Sequence, residues 1–417
     1  MAKVKPRVRK IAWLLSLVYF ASYIMRINFT VLIVKVCSEL GKEKSELAIV
    51  VTALTVTYGV GQILCGILGD KIKSKTMILC GLCLAAACNI ALLFCKGVLP
   101  MTIVWGINGL AHAMFWPPIV RLMARNLTEA EYAYASVRVT WGSSIATILL
   151  YLCCPLLLMI ISWRMIMLIC AICGLIIMVL WVTLSPKLFK AGAHSDELAT
   201  TRTIIIPKIK SESYKAPSFV ILPLIMIMIG IMMQGALRDG VTTWMPSYLH
   251  EVFKIPEEWS IFTTVILAVF SMISFTVFDQ INRRFFNDEV LSAGVIFLIA
   301  AISGVALYIS NAFSIAVLSI IFMSILVACM HGTNLMLIAI APKRFTKTGK
   351  VATYSGIMNA CTYVGAALSI YAFSAIEDWS ITILLWAIIA IFACVICLGA
   401  VKKWRKFRKE FADKEEE

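Results

Sequence analysis

Polar positions are so sparse along this chain that twelve mostly apolar stretches can be drawn: 11–34, 46–68, 76–95, 99–120, 134–158, 163–184, 218–249, 259–278, 289–310, 313–340, 351–375 and 379–401. An α-helix needs about 20 such residues to cross the hydrocarbon of a bilayer, so each stretch predicts one membrane span. The segments between them are mostly short and leave no room for a soluble domain. The longest, 185–217, opens at Ser185-Pro186 and carries Lys187, Lys190, Arg202, Lys208, Lys210 and Lys215. It separates an N-terminal half (1–184) from a C-terminal half (218–401), six helices each, with a basic and acidic tail at 402–417. The expected fold class is therefore an all-α membrane protein of twelve transmembrane helices in two six-helix halves. The basic run Lys3 to Lys10 before the first stretch resembles a signal peptide. No small-residue cleavage site follows it, and further spans do, so it reads as the start of the first helix.

Composition agrees. The chain has 417 residues, 61% hydrophobic and 15% charged, against about 45–50% apolar and 25% charged in soluble proteins. That excludes a water-soluble enzyme and a disordered scaffold. The formal net charge of +15 raises the question of nucleic acid, which the placement of the charges answers. With both termini inside, 29 of the 38 Lys and Arg fall in the tails and inner loops and 6 in the outer loops; the other three are Arg26, Arg138 and Arg238. This is the positive-inside bias, so the charge reports topology, not nucleic-acid binding. The cysteines lie largely inside the spans, as at Cys80, Cys83, Cys170 and Cys173. No His or acidic residue joins them at metal-ligand spacing, so they read as small packing residues, and no cofactor is implied.

The halves carry matching landmarks. Arg26 of the first span and Arg238 of the seventh are 212 positions apart, and Asp70 after the second span and Asp279 after the eighth are 209 apart. Repeated halves around a midplane site are the architecture of many secondary transporters. Asp70 with Lys71 and Lys75, and Asp279 with Arg283 and Arg284, are candidates for a conformational latch; the alternative is an ordinary turn with positive-inside residues.

An ionisable side chain deep in a membrane helix costs about 2.5–3.5 kcal/mol on insertion scales. Arg26 and Arg238 both lie deep, and matched carboxylates are scarce. Asp239 is the obvious acid, yet adjacent helical residues do not face each other, so it is expected to be a poor direct partner for Arg238. Two guanidiniums at equivalent places point instead to a bound anion, whose oxygens match the planar donor fork. Tyr19 and Tyr23 share the helical face of Arg26 and are candidate donors to that anion or interior packing. Arg138 is a gate, a ligand contact or a snorkelled charge. The in-span polar residues His112, His331, Asn334, Asn359 and Tyr363 bind substrate or bond a neighbouring helix. His331 also titrates near neutral pH, which makes it and Asp239 coupling candidates.

Four stretches make a family resemblance specific. Arg238-Asp239-Gly240-Val241-Thr242-Thr243-Trp244-Met245-Pro246-Ser247-Tyr248-Leu249 is similar to the seventh-helix R-x-G-x-x-x-W-x-P-x-Y-L of the organophosphate:phosphate antiporters. That branch of the major facilitator superfamily includes the glycerol-3-phosphate and hexose-phosphate transporters. Tyr23-Ile24-Met25-Arg26-Ile27-Asn28-Phe29 resembles its first-helix Y-x-x-R-x-N-F. Trp116-Pro117-Pro118-Ile119-Val120-Arg121 resembles its W-P-P-x-x-R, and Ala341-Pro342-Lys343 its A-P-K. The loop around Gly69-Asp70-Lys71 resembles the superfamily's loop between helices two and three. The resemblance implies a major facilitator fold of twelve helices, alternating access, and phosphate bound by Arg26 and Arg238. Departures are equally specific. Ile27 stands where the glycerol-phosphate branch has Lys, and Gln62 where helix two usually has Lys. In the fifth-helix stretch, Arg138 and Gly142 replace a Trp and a His, and Thr243 replaces the acid before the seventh-helix Trp. The arginine clamp is kept while its surroundings change. Arg138, Gln62 and Trp116 join Arg26, Arg238, Tyr19, Tyr23, Asn359 and Tyr363 as candidate substrate contacts.

The leading expectation is exchange of a phosphorylated small organic anion for inorganic phosphate, by a protein active as a monomer in a bacterial plasma membrane with both termini cytoplasmic. The alternative is proton- or cation-coupled symport of an organic carboxylate such as a sugar acid. A transporter-like sensor is a third class, and no arrangement of nucleophile, base and orienter supports an enzyme.

Overall fold

The computed structural model describes residues 5–42, 44–189, 217–255, 257–374, 376 and 378–412. Thirteen helices of eleven or more residues account for the apolar stretches among them. The N-terminal ones are α1 (Pro6–Leu40), α2 (Lys44–Lys71), α3 (Ser74–Leu92), α4 (Val98–Ala113), α5 (Trp116–Asn126), α6 (Glu129–Leu158) and α7 (Trp163–Leu188). After them come α8 (Ile221–Phe253), α9 (Glu257–Ile281), α10 (Glu289–Ala312), α11 (Ala316–Asn334), α12 (Val351–Ser374) and α13 (Trp379–Phe407). Most of the central segment expected as a cytoplasmic loop, and the last five residues of the tail, lie outside the described residues.

Local chemistry sets the ends. Pro6 starts α1, where its missing N–H costs nothing, and Gly41 ends it with φ 62°. The Asp288 carboxylate accepts from the N–H groups of Val290 and Leu291 at 3.1 and 3.0 Å and starts α10. Asp378 does the same for α13 through Ser380 N–H at 2.7 Å. The fourth expected span is broken in two. Pro117 and Pro118 have no N–H to offer the carbonyls of Ala113 and Met114, so α4 stops and α5 restarts at Trp116. The tenth span runs longer than expected, through a π-helical segment Leu335–Ile340 and a 3₁₀ segment Ala341–Thr348.

Eleven stretches of described residues are long and apolar enough to cross a membrane. The predicted span 351–375 is helical as α12. The burial pattern is inverted relative to a soluble protein. Asn28, Gln62, Asn89, Asn108 and Gln234 are wholly buried, while large apolar side chains such as Phe94, Ile160, Ile176, Val179 and Phe313 are exposed. Polar groups turn inward because hydrocarbon leaves them no other partner.

The described residues fall into two units. One draws on Met1–Ser143, Ile161–Ala216 and Pro342–Gly356, the other on Ser144–Ile160, Pro217–Ala341 and Ile357–Glu417. Within the first, α2 packs along α4, and α7 packs against α1 and α3. Within the second, α10 packs against α11 and α13, and α8 lies against α9, α11 and α13. Two helices, α6 and α12, supply residues to both units.

In the second unit α8 and α12 approach to backbone contact. Gly235 of α8 lies against the backbone of Thr362, and Gly365 of α12 against the backbone of Met232, so neither position has room for a Cβ. Replacing Gly365 by Val is expected to cost about 1–3 kcal/mol through overpacking, read as a lower unfolding temperature of the purified protein in detergent. An unchanged temperature would refute the close approach.

Candidate functional site

Arg26 sits in the middle of α1, and its position is fixed by amides around it. The carbonyl of Met25, one residue before it, accepts from Asn89 Nδ2 of α3 at 2.9 Å and from Asn108 Nδ2 of α4 at 3.1 Å. Asn28, two residues after it, donates from Nδ2 to Asn89 Oδ1 at 2.7 Å and accepts the Phe29 N–H at 2.9 Å. All three asparagines are fully buried, so this network pins three helices together at the level of Arg26. The guanidinium lies over the rings of Tyr23 at 4.3 Å and Tyr58 of α2 at 4.9 Å. Aromatic faces stabilise the cation.

Tyr19 extends the same surroundings, with its ring 5.0 Å from Tyr23 and 5.2 Å from Trp116. Trp116 is buried with its indole N–H unpartnered. His112, one turn before Trp116, is buried beside Arg26. Its Nδ1 shares a hydrogen bond of 3.1 Å with the Ser22 hydroxyl, and its Nε2 has no partner. Gln62 of α2 is fully buried with both amide atoms unpartnered. Arg138 keeps to its own helix, its guanidinium over Tyr134 at 3.8 Å and Trp141 at 5.0 Å.

The second unit treats its arginine differently. Arg238 of α8 is paired side-on with Asp239, Nε to Oδ1 at 2.6 Å and Nη2 to Oδ2 at 3.0 Å. The expectation that neighbours on a helix would not pair is overturned here. That rule concerns Cβ directions, and the long, flexible arginine stem carries the guanidinium round to the adjacent carboxylate. Tyr363 of α12 lies 6.0 Å from the same guanidinium. His331 of α11 stands edge-on to Phe275 at 5.6 Å and within electrostatic reach of both Arg238 and Asp239. Gln234, one turn before Arg238, donates to the Met330 carbonyl at 3.1 Å, tying α8 to α11. Asn359 is buried on α12, one turn from Tyr363.

The two acidic loops also diverge. Asp70 accepts from Ala352 N–H at 3.0 Å, Thr353 N–H at 2.8 Å and the Thr353 hydroxyl at 2.6 Å, so it caps the first turn of α12. A carboxylate there satisfies orphan donors and the helix dipole together. Its basic neighbour is Arg121, buried 3.7 Å away and donating to the carbonyls of Gly69, Asp70 and Ile72. The expected partners take other roles: Lys71 is exposed, and Lys75 donates to the Phe189 carbonyl at 2.8 Å. Asp279 instead pairs with Arg283 one turn along, at 2.7 Å, and Arg284 lies over Phe285 at 5.6 Å. The Ala341-Pro342-Lys343 segment leads to an ion pair of Arg344 with Glu129 at 2.6 Å, with Lys343 over Tyr132 at 5.2 Å.

Sequence reasoning missed Tyr58, Asn89, Asn108, Ser22 and the role of Arg121. The signals were slight: isolated amides in apolar spans, and an arginine that looked like one more inner-loop charge.

Residues 15–370 match the profile of the Major Facilitator Superfamily. The chain is 26% identical over 386 residues to the glycerol-3-phosphate transporter of Bacillus subtilis, across 84% of this chain and 81% of that protein. It is 28% identical over 134 residues to a Chlamydia trachomatis protein described as a "probable hexose phosphate transport protein", across 32% of this chain. That match spans only 28% of the chlamydial protein's length. The solved structure of the proton:xylose symporter XylE bound to 6-bromo-6-deoxy-D-glucose shares the fold, with a TM-score of 0.72 at 12% identity over 96% of this chain and 95% of that one.

Two measurements follow from this geometry. Asn89→Ala orphans the Asn28 amide and removes a donor from Met25, which should cost about 1–3 kcal/mol; unfolding temperature checks it, and no change would mean the network does not hold α1. Asp70→Ala should cost about 0.5–2 kcal/mol as a lost cap, with faster hydrogen exchange confined to the amides of residues 351–353.

Proposed function

Because the chain belongs to the major facilitator superfamily, we propose that this membrane transporter exchanges a phosphorylated small organic anion, of the sugar-phosphate or glycerol-phosphate type, for inorganic phosphate by alternating access. The protein is a multi-pass membrane transporter and not an enzyme; exchange and substrate class are the proposal. The observation that carries it is a pair of guanidiniums at repeat-related positions inside apolar helices, each beside aromatic faces. A bidentate donor fork is suited to phosphoryl oxygens, and two forks suit a dianion. The names of the Bacillus and Chlamydia relatives support the same substrate class. Arg26 and Arg238 hold the phosphoryl group; Tyr19, Tyr23, Gln62, Trp116, Arg138, Asn359 and Tyr363 are the candidates for reading the rest of the substrate. The Asp70 cap on α12 serves as the latch, and the bias of basic residues toward the tails and inner loops supports cytoplasmic termini.

A second reading, proton- or cation-coupled symport of an organic carboxylate, is favoured by one observation. An acid, Asp239, and a histidine, His331, stand beside Arg238.

The deciding experiment is uptake of radiolabelled phosphate into proteoliposomes that are phosphate-loaded or empty. Exchange predicts uptake that requires internal phosphate and falls by about tenfold or more in both Arg26→Lys and Arg238→Lys, since lysine keeps the charge but loses the fork. Uptake into empty vesicles driven by a pH gradient would favour symport. Folded protein that takes up no phosphate under either condition would overturn the phosphate reading.

A further inference from the structure

The two arginines lie against groups of different character. Arg26 rests on the faces of Tyr23 and Tyr58. Arg238 instead gives its Nε and Nη2 donors to the two oxygens of Asp239. This side-on arrangement, two parallel N–H···O bonds on one guanidinium edge, is the one a carboxylate or phosphoryl ligand would make. The carboxylate is tethered to the adjacent residue and so is always present at high effective concentration. The pair is neither sealed nor fully solvated: the side chains of Arg238 and Asp239 are 14% and 29% exposed. An incoming anion can reach it, and the pair is worth more there than on an open surface.

We propose that Asp239 is a built-in competitor for the substrate anion at Arg238, occupying a guanidinium edge the anion would use until it swings away. This rests on the reading that Arg238 holds the substrate's anionic group. One consequence follows. Every anion that uses this edge binds more weakly than it would to a chain lacking the carboxylate, by the fraction of time the ion pair stands open.

The test is equilibrium binding of radiolabelled inorganic phosphate, and separately of gluconate, to the purified full-length protein and to Asp239→Asn, at one near-neutral pH. The isosteric amide should bind phosphate roughly tenfold more tightly. Equal affinities would overturn the proposal. So would weaker binding by Asp239→Asn with an unchanged unfolding temperature, because Asp239 would then be orienting Arg238 rather than competing for it. If neither anion binds either folded protein, what falls is the assignment of Arg238 as the anion holder, and this proposal with it. Tighter gluconate binding by the variant, without any phosphate binding, would sustain the competitor and remove the phosphate substrate.

Discussion

Hydrocarbon offers no hydrogen bonds, and a guanidinium inside an apolar helix bundle must therefore be given its surroundings by the protein. The positions of Arg26 and Arg238 impose that demand once in each unit. Around Arg26 the answer is aromatic, with two tyrosine faces for the cation and a set of buried amides to hold its helix in place. Around Arg238 the answer is ionic, with a carboxylate from the next residue. Gln234 ties α8 to α11 one turn before Arg238, and the glycine contacts of α8 with α12 set the distance at which Tyr363 stands.

The repeat supplies equivalent positions, and the chain then uses them unequally. Asp70 reaches across to cap α12, while Asp279 closes on Arg283 of its own helical turn.

What could be read from the sequence was whatever depends on one dimension. The length of an apolar run predicts a span, and an arginine within such a run is conspicuous wherever its side chain goes. The break before Trp116 was less visible, because hydropathy counts Pro117 as tolerable and only its missing N–H ends the helix. Partners across helices were not visible at all. Asn89 and Asn108 lie far from Arg26 in sequence, and nothing in their own spans says that both aim at the Met25 carbonyl. Arg121 was read as topology because a buried arginine and an inner-loop arginine look alike in a string of letters. The pairing of Arg238 with Asp239 was misjudged for a different reason: helical geometry constrains where a side chain starts, and four rotatable bonds decide where an arginine ends.

The asparagine pair beside Arg26 carries an evolutionary consequence. Asn28 donates to Asn89, so a change at either one alone leaves a buried donor or acceptor of the other stranded in a medium that cannot solvate it. A first substitution is penalised while its partner remains, and the second becomes tolerable only after the first. Drift at these two sites is therefore epistatic, and descendants of this chain should retain the pair intact or replace it as a set.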